Sequence, residues 1–481
     1  MTSSLRTHIE HAEIALVIRC ACALALLLAT TTLMNASVFP LFDDIYTFTR
    51  DISVTCAAVA LLALGFIAYR FPRILTPHAF VGATFVCIGA GAIVLTCGLI
   101  TKMPPLVIAG ACLFSLGRAG ATVFAGLSLS KLSIQGATVA ICAAFIGQYV
   151  CGEALIGLPL AIPYLGYCIY PIIATALSLR LGLPLISLAH TSDAPSDLAV
   201  IRPYSFLAPF SALFICLFLF QLAFGFSLRF GEEAGVPQYS FLTIVPPVLV
   251  AGYVIISKKR YPADMLVRIS ALFVIGGFLL AAGNILSHTT WAASLLSAGN
   301  VLFSMTAWMA LVAIAARNPV GATTVITWGR GVSAFGTLVG AAAGVAANDA
   351  IAAQSSLLFI IAGALLMAFA AYVIIGLSSF TFSGIIEGVQ PVIESVEIRT
   401  PTEIFDERCA AIAHTYNLTP REKEVFAMLA RGRNREYIEE ELVVSRNTVK
   451  AHVKHIYAKL NIHSHQQLID LIEGDSPHAL Q

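Results

Sequence analysis

The sequence predicts an all-α protein with two parts, a polytopic transmembrane helix bundle and a small C-terminal domain of four helices. Hydrophobic residues make up 58% of the 481 positions and charged residues only 11%, whereas soluble domains carry about 25% charged residues. Apolar runs of about 20 residues, the length that spans a bilayer as a helix, recur along most of the chain. Residues 401–481, by contrast, contain many charged residues, in a pattern with helical spacing.

The apolar runs are continuous rather than alternating, which favours helices over barrel strands, the two structures that satisfy the backbone in lipid. They predict a bundle of about twelve helices over residues 1–377. The first run reads as a spanning helix rather than a cleaved signal peptide. The predicted spans are 14–34, 52–70, 79–100, 105–129, 137–158, 161–181, 207–228, 238–257, 266–287, 291–316, 320–347 and 355–377.

Loop charge predicts the orientation of the bundle. If the N-terminus is cytoplasmic, the cytoplasmic loops hold ten Lys or Arg residues and the outer loops hold three, as the positive-inside rule requires. An even number of spans then returns the C-terminus to the cytoplasm. The sequence therefore predicts a multi-pass protein of the inner (plasma) membrane, in contact with lipid, with both termini in the cytoplasm.

The longest connection between spans, at about 182–206, divides the runs six and six. This 6+6 arrangement resembles the major facilitator superfamily, whose two six-helix halves enclose a central cavity. That superfamily often has a signature rich in Gly, Asp and Arg between its second and third helices. Here the corresponding loop has Arg70 and Arg73 but neither the Gly nor the Asp. The resemblance therefore implies the fold, but the sequence signature that would support active transport is missing.

Charged and amide side chains inside the spans are candidate ligand-cavity residues. Arg118 lies near the middle of its run and Glu153 lies in the next, within about 7 Å in depth at ~1.5 Å per residue. A charge at mid-bilayer costs about 2.5–3.5 kcal/mol, so it usually pairs or lines a cavity. Arg330, Gln148 and Asn300 are placed to line the same interior. Two interpretations stay open, a structural ion pair with inter-helix hydrogen bonds, or a site for a small-molecule signal of unknown identity.

No catalytic residue, cofactor or metal site is predicted. The eleven cysteines mostly lie in apolar runs and show no C-x-x-C pair or other metal-ligand spacing, so they behave as small hydrophobes. Phosphate-binding loops, kinase motifs and catalytic triads are not recognisable. These absences disfavour an enzyme.

Residues 378–400 are mixed in composition and predict a linker, and residues 401–481 predict a separate domain. A helix over Thr402–His414 leads into the segment Thr419–Glu422. Threonine at the N-cap, proline at the first helical position and glutamate at the third form a capping box. The helix that this box begins is predicted to end at Gly432.

The helix that begins at this capping box is counted as the first of the domain's four helices, and three more follow. A short helix over 434–441 and a turn at Val443–Val444 lead to a third helix, which Ser445 caps and which ends near Leu460. Another capping box, Ser464–Gln467, opens the fourth helix. The third helix is held to the core by apolar residues at helical spacing, namely Val449, Val453, Ile456 and Leu460.

Cations concentrate on the third helix. The domain over 401–481 holds twelve acidic and ten basic residues, yet no acid lies between Ser445 and Leu460. Charge on a helix face is usually only solvated, but this concentration within a net-negative domain fits a helix that enters the major groove of double-stranded DNA. The predicted cationic face carries Arg446, Lys450, Lys454 and Lys459, with His452 and His455.

Three stretches, Leu418–Val425, Leu429–Gly432 and Ser445–Val453, resemble the LuxR-type helix-turn-helix domain. In that family the third helix reads the major groove and the fourth supports dimerisation. The resemblance implies base or groove contacts by Lys450, Ala451 and Lys454. One departure is Glu439, where the family usually has alanine. The full set of DNA-contact residues that we predict is Arg446, Asn447, Thr448, Lys450, Ala451, His452 and Lys454.

The whole chain resembles membrane-bound LuxR-type regulators of some bacteria. It predicts a one-component transcription regulator, in which the bundle senses an unknown small molecule and the cytoplasmic domain binds DNA as a homodimer. A ligand with unequal affinity for two bundle conformations would shift the state of the tethered domain. The alternative is a major facilitator-type transporter with an appended regulatory DNA-binding domain, which substrate uptake in proteoliposomes would reveal.

Overall fold

The computed structural model describes residues 3–156, 158–191, 212–229, 241–257, 263–283, 289–353, 364, 367–373, 409–410 and 412–473. These residues form helices, turns and connecting segments, and none of them lies in a strand. The all-α prediction is therefore confirmed. The chain divides into two compact units, Met1–Val392 and Ile393–Gln481. The predicted linker at 378–400 lies outside the described residues.

The predicted spans of the first unit correspond to helices. Nine described helical stretches are long and apolar enough to cross a membrane, and Leu213–Arg229 and Phe241–Ser257 are shorter apolar helices. The span predicted at 355–377 lies largely outside the described residues. The helix bounds are α1 Ser3–Leu33, α2 Phe39–Asp43, α3 Thr49–Arg70, α4 Pro77–Thr101, α5 Pro104–Leu129, α6 Ile134–Ile156, α7 Ala161–Thr191, α8 Ala212–Arg229, α9 Val245–Ser257, α10 Ala263–Gly283, α11 Thr289–Arg317 and α12 Ala322–Ala353.

The first span is interrupted near its end. Met34–Val38 form a π-helical segment between α1 and α2, and Pro40 lies at the start of α2. Proline has no amide hydrogen and its ring clashes with the carbonyl group four residues earlier. A wider π turn before it relieves that clash, so a single apolar stretch, Glu13–Phe42, continues across the irregularity.

Glycines bring neighbouring membrane helices into backbone contact. A Cβ atom added at Gly98 of α4 would lie 2.6 Å from the Val107 nitrogen of α5, and one added at Gly117 of α5 would lie 2.6 Å from the Ile88 nitrogen of α4. Lipid tails are as apolar as leucine, so close packing of this kind drives helix association in a membrane. A contact of the same kind joins α12 to α8 at Gly336.

The described residues of the second unit include four helices in the predicted order. They are α13 Pro420–Ala430, α14 Arg435–Leu442, α15 Arg446–Leu460 and α16 His465–Glu473. Before them, the described residues 409–410 and 412–415 are helical, and the predicted cap at Thr402 lies outside the described residues. Gly432 has a φ of 75°, which favours glycine and ends α13 where the sequence predicts.

A separate hydrophobic core holds these four helices together. The predicted apolar face of α15 is fully buried in it, and Ile438 of α14 is buried beside it. Arg421 at the start of α13 donates a 3.1 Å hydrogen bond to the carbonyl oxygen of Leu442, which ties α13 to the end of α14. The buried core consists of Cys409, Ala413, Leu418, Val425, Phe426, Leu429, Ala430, Ile438, Val449, Val453, Ile456, Leu460, Ile462 and Leu468.

Candidate DNA-binding face and membrane polar cluster

The start of α15 is fixed by its cap. The hydroxyl of Ser445 accepts a 3.2 Å hydrogen bond from the Thr448 amide, as the sequence predicts for an N-cap serine. The preceding turn places Val443 at a φ of 51° with 89% of the residue exposed. A β-branched residue is strained in this left-handed region, yet the conformation redirects the chain from α14 into α15.

The exposed face of α15 carries most of the predicted DNA-contact residues. Because Val449 and Val453 are buried in the core, the intervening positions point outward. Arg446 comes within 3.9 Å of Glu436, and a pair this long and this exposed contributes little. His452 is half-buried. The exposed residues of the set are Arg446, Asn447, Thr448, Lys450, Ala451 and Lys454.

Lys459 is exposed, as the sequence predicts, but its ammonium group is bound within the domain. Its ammonium group lies 2.6 Å from Oε2 of Glu422 and donates a 3.1 Å hydrogen bond to the Asn417 carbonyl. Glu422 is the third residue of α13, and its carboxylate also accepts a 2.8 Å hydrogen bond from the Thr419 amide. Lys459 therefore joins the end of α15 to the capping box of α13.

The Glu422 carboxyl is buried and remains ionised. Burial raises its pKa, but hydrogen bonds from Lys459 and Thr419 outweigh burial and lower the pKa from 4.5 to about 2. A carboxyl group with a lowered pKa in the folded state contributes stability that is present above its unfolded pKa and lost as pH falls toward the folded value.

We therefore expect the free energy of unfolding of the C-terminal domain to fall between about pH 4.5 and pH 2 because Glu422 must be protonated there. Urea unfolding followed by circular dichroism at several pH values measures this. The Glu422→Gln variant should show a shallower fall, whereas Glu424→Gln, which changes an exposed carboxylate, should keep the wild-type slope. An unchanged slope in Glu422→Gln would contradict the assignment.

In the membrane unit, Arg118 of α5 is tied to the first span. Its Nη1 atom donates a 2.9 Å hydrogen bond to Oγ1 of Thr31. The buried Tyr167 of α7 lies close enough for its hydroxyl to interact electrostatically with the guanidinium group. Next to this contact, Nε2 of Gln148 donates a 3.1 Å hydrogen bond to Oγ1 of Thr32. The structure thus brings the predicted residues Arg118 and Gln148 to the same side of α1.

Arg330 of α12 contacts a tryptophan of α11. Its Cζ atom lies 4.6 Å from the centre of the buried Trp308 ring, a distance at which a cation is attracted to the aromatic face. Its Nε atom is buried and has no hydrogen-bond partner among the described residues. Because α5 contacts both α11 and α12, the two predicted arginines lie on packed helices of the bundle.

Asn300 belongs to a different polar group. Gln221 of α8 donates to Oδ1 of Asn300 at 3.4 Å and to the Ser304 hydroxyl at 3.1 Å. The same glutamine accepts a 3.0 Å hydrogen bond from the Thr337 hydroxyl. These bonds join α8, α11 and α12, and they satisfy the amide groups without any ligand.

Glu153 lies apart from all of these groups, and the ion pair that one interpretation assigned to it is not formed. It is exposed, and it makes no hydrogen bond or ion pair with a described residue. Gln148 and Glu153 are five positions apart, which is about 140° around a helix of 3.6 residues per turn. Because Gln148 faces α1, Glu153 points to another side.

Comparisons with known proteins separate the two units. Residues 416–472 match the family described as bacterial regulatory proteins, luxR family. This segment is a LuxR-type helix-turn-helix domain. Among curated proteins, no sequence matches the chain.

The membrane unit is similar in structure to solved transporters. The human organic anion transporter TETRAN has a TM-score of 0.47 and 12% identity, over 79% of this chain and 99% of that one. A bacterial homologue of ferroportin has 0.49 and 14%, over 75% and 99%. The Escherichia coli fucose:proton symporter has 0.46 and 14%, over 75% and 98%. Likenesses this distant assign neither substrate nor transport to this chain.

Among the described residues of the LuxR-type domain, Glu439 in α14 has a buried side-chain oxygen, Oε1, with no hydrogen-bond partner. The sequence marks Glu439 as a departure from the family, and an outward side chain would have carried no penalty. The structure shows instead that one of its oxygens is enclosed. A buried polar atom without a partner costs about 1–3 kcal/mol.

We expect Glu439→Ala to raise the free energy of unfolding of this domain by about 1–3 kcal/mol, because the substitution removes the unpaired oxygen and alanine favours helices. Chemical denaturation of the wild-type and variant domains measures the difference. Glu440→Ala, an exposed neighbour on the same helix, serves as the matched control and should shift stability by less than about 0.5 kcal/mol. Equal shifts in the two variants would refute the assignment.

Sequence reasoning missed the groups that contact the two arginines. Thr31 and Trp308 were not predicted as site residues, although both hold an arginine in place. The available signals were a run of three threonines inside the first span and a tryptophan inside a later span. For Lys459 and Glu422, which lie 37 positions apart, neither sequence spacing nor periodicity could have indicated the contact.

Proposed function

We propose that this protein is a membrane-bound one-component transcription regulator that senses a small molecule through its transmembrane bundle. The observation that supports the proposal is the presence of a LuxR-type DNA-binding domain on the same chain as an integral membrane helix bundle. Attachment of a DNA-binding domain to a membrane has a specific use if the membrane part controls DNA binding.

The control would work by population shift. A ligand that binds one conformation of the bundle more tightly moves the bundle toward that conformation, by as much as the two affinities differ. A difference of about 10⁴-fold suffices to move an equilibrium from one state almost wholly to the other. The polar cluster around Arg118 and Arg330 is the proposed place for such a ligand, because charges are stable at that depth only when they are paired or line a cavity.

On DNA, α15 would enter the major groove. Lys450, Ala451 and Lys454 are assigned to base or groove contacts, and Arg446, Thr448 and His452 to positions near phosphates, with Asn447 also facing the DNA. Phosphate contacts set the register and base contacts give specificity. The domain would bind as a homodimer through α16, because one helix-turn-helix reads only a short half-site and paired half-sites lie about one helical turn apart.

We further propose that both termini lie in the cytoplasm, as the loop charges indicate. A reporter enzyme that is active only in the cytoplasm, fused after Gln481, should be active, because the LuxR-type domain must reach the chromosome. A reporter that works only outside the cytoplasm should be silent at the same position. The reverse pair of activities would contradict the orientation and with it the regulatory role.

The function is tested by comparing transcripts in three strains that carry the wild-type chain, the Lys450→Ala/Lys454→Ala double variant, or no copy. The double variant should reproduce the transcript changes of the strain without a copy while its membrane abundance stays at the wild-type level. Uptake of candidate substrates into proteoliposomes tests the transporter alternative. Wild-type transcripts in the double variant, together with substrate uptake, would favour a transporter over a regulator.

A further inference from the structure

Two arginines on packed helices of the membrane unit have no acidic partner among the residues that the structure describes. Arg118 donates to Thr31 and Arg330 stacks on Trp308, and neither contacts a carboxylate among the described residues. Arg118 lies near the middle of the candidate span Pro104–Leu129, and Arg330 lies within the candidate span Ala322–Asn348. The two helices contact each other, so the bundle holds two like charges on packed helices, where an unpaired charge is most unfavourable.

The groups around the arginines supply hydrogen-bond donors, and few of them can accept a hydrogen bond from the guanidinium groups. A guanidinium group carries five N–H donors and no acceptor, and Thr31 receives only one of those of Arg118. The Nε atom of Arg330 and the Nε1 atom of Trp308 are both buried without a partner. Buried donors of this kind are normally paired. The cluster therefore lacks a negatively charged acceptor.

Both arginine side chains keep partial accessibility within the bundle. The Cζ atom of Arg330 lies 4.6 Å from the centre of the Trp308 ring, and because an indole offers no hydrogen-bond acceptor, the guanidinium N–H groups still need one. Edge-on contact is the geometry in which guanidinium groups bind the oxygens of carboxylates and phosphates.

We propose that Arg118 and Arg330 bind the oxyanion group of a small anionic molecule, a carboxylate or a phosphate, which is the signal of this protein. The proposal rests on the regulatory function proposed above and names the chemical class of its ligand. The anion would neutralise the two like charges and accept hydrogen bonds from the unpartnered donors. Its binding would also pull α5 and α12 toward one another, since each helix supplies one arginine.

The first test needs no knowledge of the ligand. If the arginines bind an anion, the ligand-free protein holds charges that lack a counter-ion in the membrane. Arg330→Gln removes one such charge and should therefore raise the thermal unfolding midpoint of the ligand-free full-length protein in nanodiscs of zwitterionic lipid. Arg118→Gln should do the same, and Arg180→Gln, which changes an exposed arginine of α7, should leave the midpoint unchanged. If the arginines are only structural, both cluster variants will melt lower than wild type, and the proposal is wrong.

The second test uses matched probes that differ in charge. Benzoate, succinate and inorganic phosphate are compared with the neutral amides benzamide and succinamide at millimolar concentration in the same nanodiscs. At least one oxyanion should raise the midpoint of the wild type, while the amides do not and Arg330→Gln gives no response. No response to any oxyanion, or an equal response in Arg330→Gln, would overturn the proposal. A response that appears only with anionic lipid present would assign the site to a lipid headgroup and would also overturn it.

DNA binding by the same nanodiscs separates this inference from the regulatory function. An oxyanion that binds through Arg330 and changes operator affinity supports both. An oxyanion that binds through Arg330 without any change in operator affinity supports the anion site and contradicts its role as a signal. Operator binding that responds to a neutral molecule in Arg330→Gln as it does in wild type would leave the regulatory function standing and refute the anion site.

Discussion

Replacing Lys450 and Lys454 together with alanine lowers operator affinity by at least about 30-fold, because each lost base or phosphate contact removes ~1–3 kcal/mol and 1.4 kcal/mol is a factor of ten. Both side chains are exposed on α15, and the helix itself is held by the buried Val449 and Val453. The two lysines can thus be removed without disturbing the core. The operator for this measurement is selected from random DNA by the wild-type protein, and affinity is measured by gel shift at fixed salt.

The matched control for the double variant is Lys423→Ala. Lys423 is an exposed lysine of the same domain, on α13 rather than α15, so its loss changes the net charge without touching the proposed face. It should shift affinity only slightly, and less as salt screens the charges. The Lys450 and Lys454 variant should also lose part of the salt dependence, since fewer counterions are released on binding. An equal loss of affinity in both variants would mean that net charge alone explains the effect, and it would contradict the assignment of DNA binding to the exposed face of α15.

Replacing Gly340 with leucine prevents the membrane unit from folding normally. A Cβ atom at Gly340 of α12 would lie 2.8 Å from both the carbonyl carbon of Leu222 and the amide nitrogen of Phe226 on α8. These are backbone atoms, which cannot rotate away, so α8 and α12 would have to separate along their contact. Overpacking typically costs about 1–3 kcal/mol when side chains can adjust, and more when they cannot. We expect a large loss of monodisperse protein in size-exclusion chromatography of detergent extracts.

Gly252→Leu is the control for the glycine substitution. Gly252 lies on α9, and a Cβ atom there would meet nothing within 4 Å. The same change of residue should therefore leave the yield and the elution profile as in wild type. Normal yield of Gly340→Leu would contradict the close contact between α8 and α12.

The DNA-binding domain was predictable from sequence because its signals are local. Ser445 caps α15, and the four-residue spacing of Val449 and Val453 sets the buried face, so the helix bounds and its exposed side follow from neighbours along the chain. The role of Lys459 was not predictable, since its partner Glu422 lies on another helix. Likewise, whether the Glu439 side chain is enclosed depends on how closely α14 packs in the domain, which composition does not determine.

In the membrane unit the sequence could predict how deep a side chain lies in the bilayer but not which way it points. The rise of a helix places Arg118 and Glu153 at similar depth, and this suggested an ion pair. Which way each side chain points depends on how α5 and α6 are rotated, and that depends on their neighbours. The structure turns Arg118 toward Thr31 and leaves Glu153 exposed. Contacts across helices far apart in sequence decide the site.

We propose that one intact chain both resides in the membrane and reads DNA. Chromatin immunoprecipitation of the full-length tagged protein from the crosslinked membrane fraction tests this proposal. We expect discrete genomic sites that share a paired half-site, that are recovered with the intact chain, and that are absent from the Lys450→Ala/Lys454→Ala variant at equal abundance. Recovery of no specific site, or of sites bound only by a released C-terminal fragment, would contradict it.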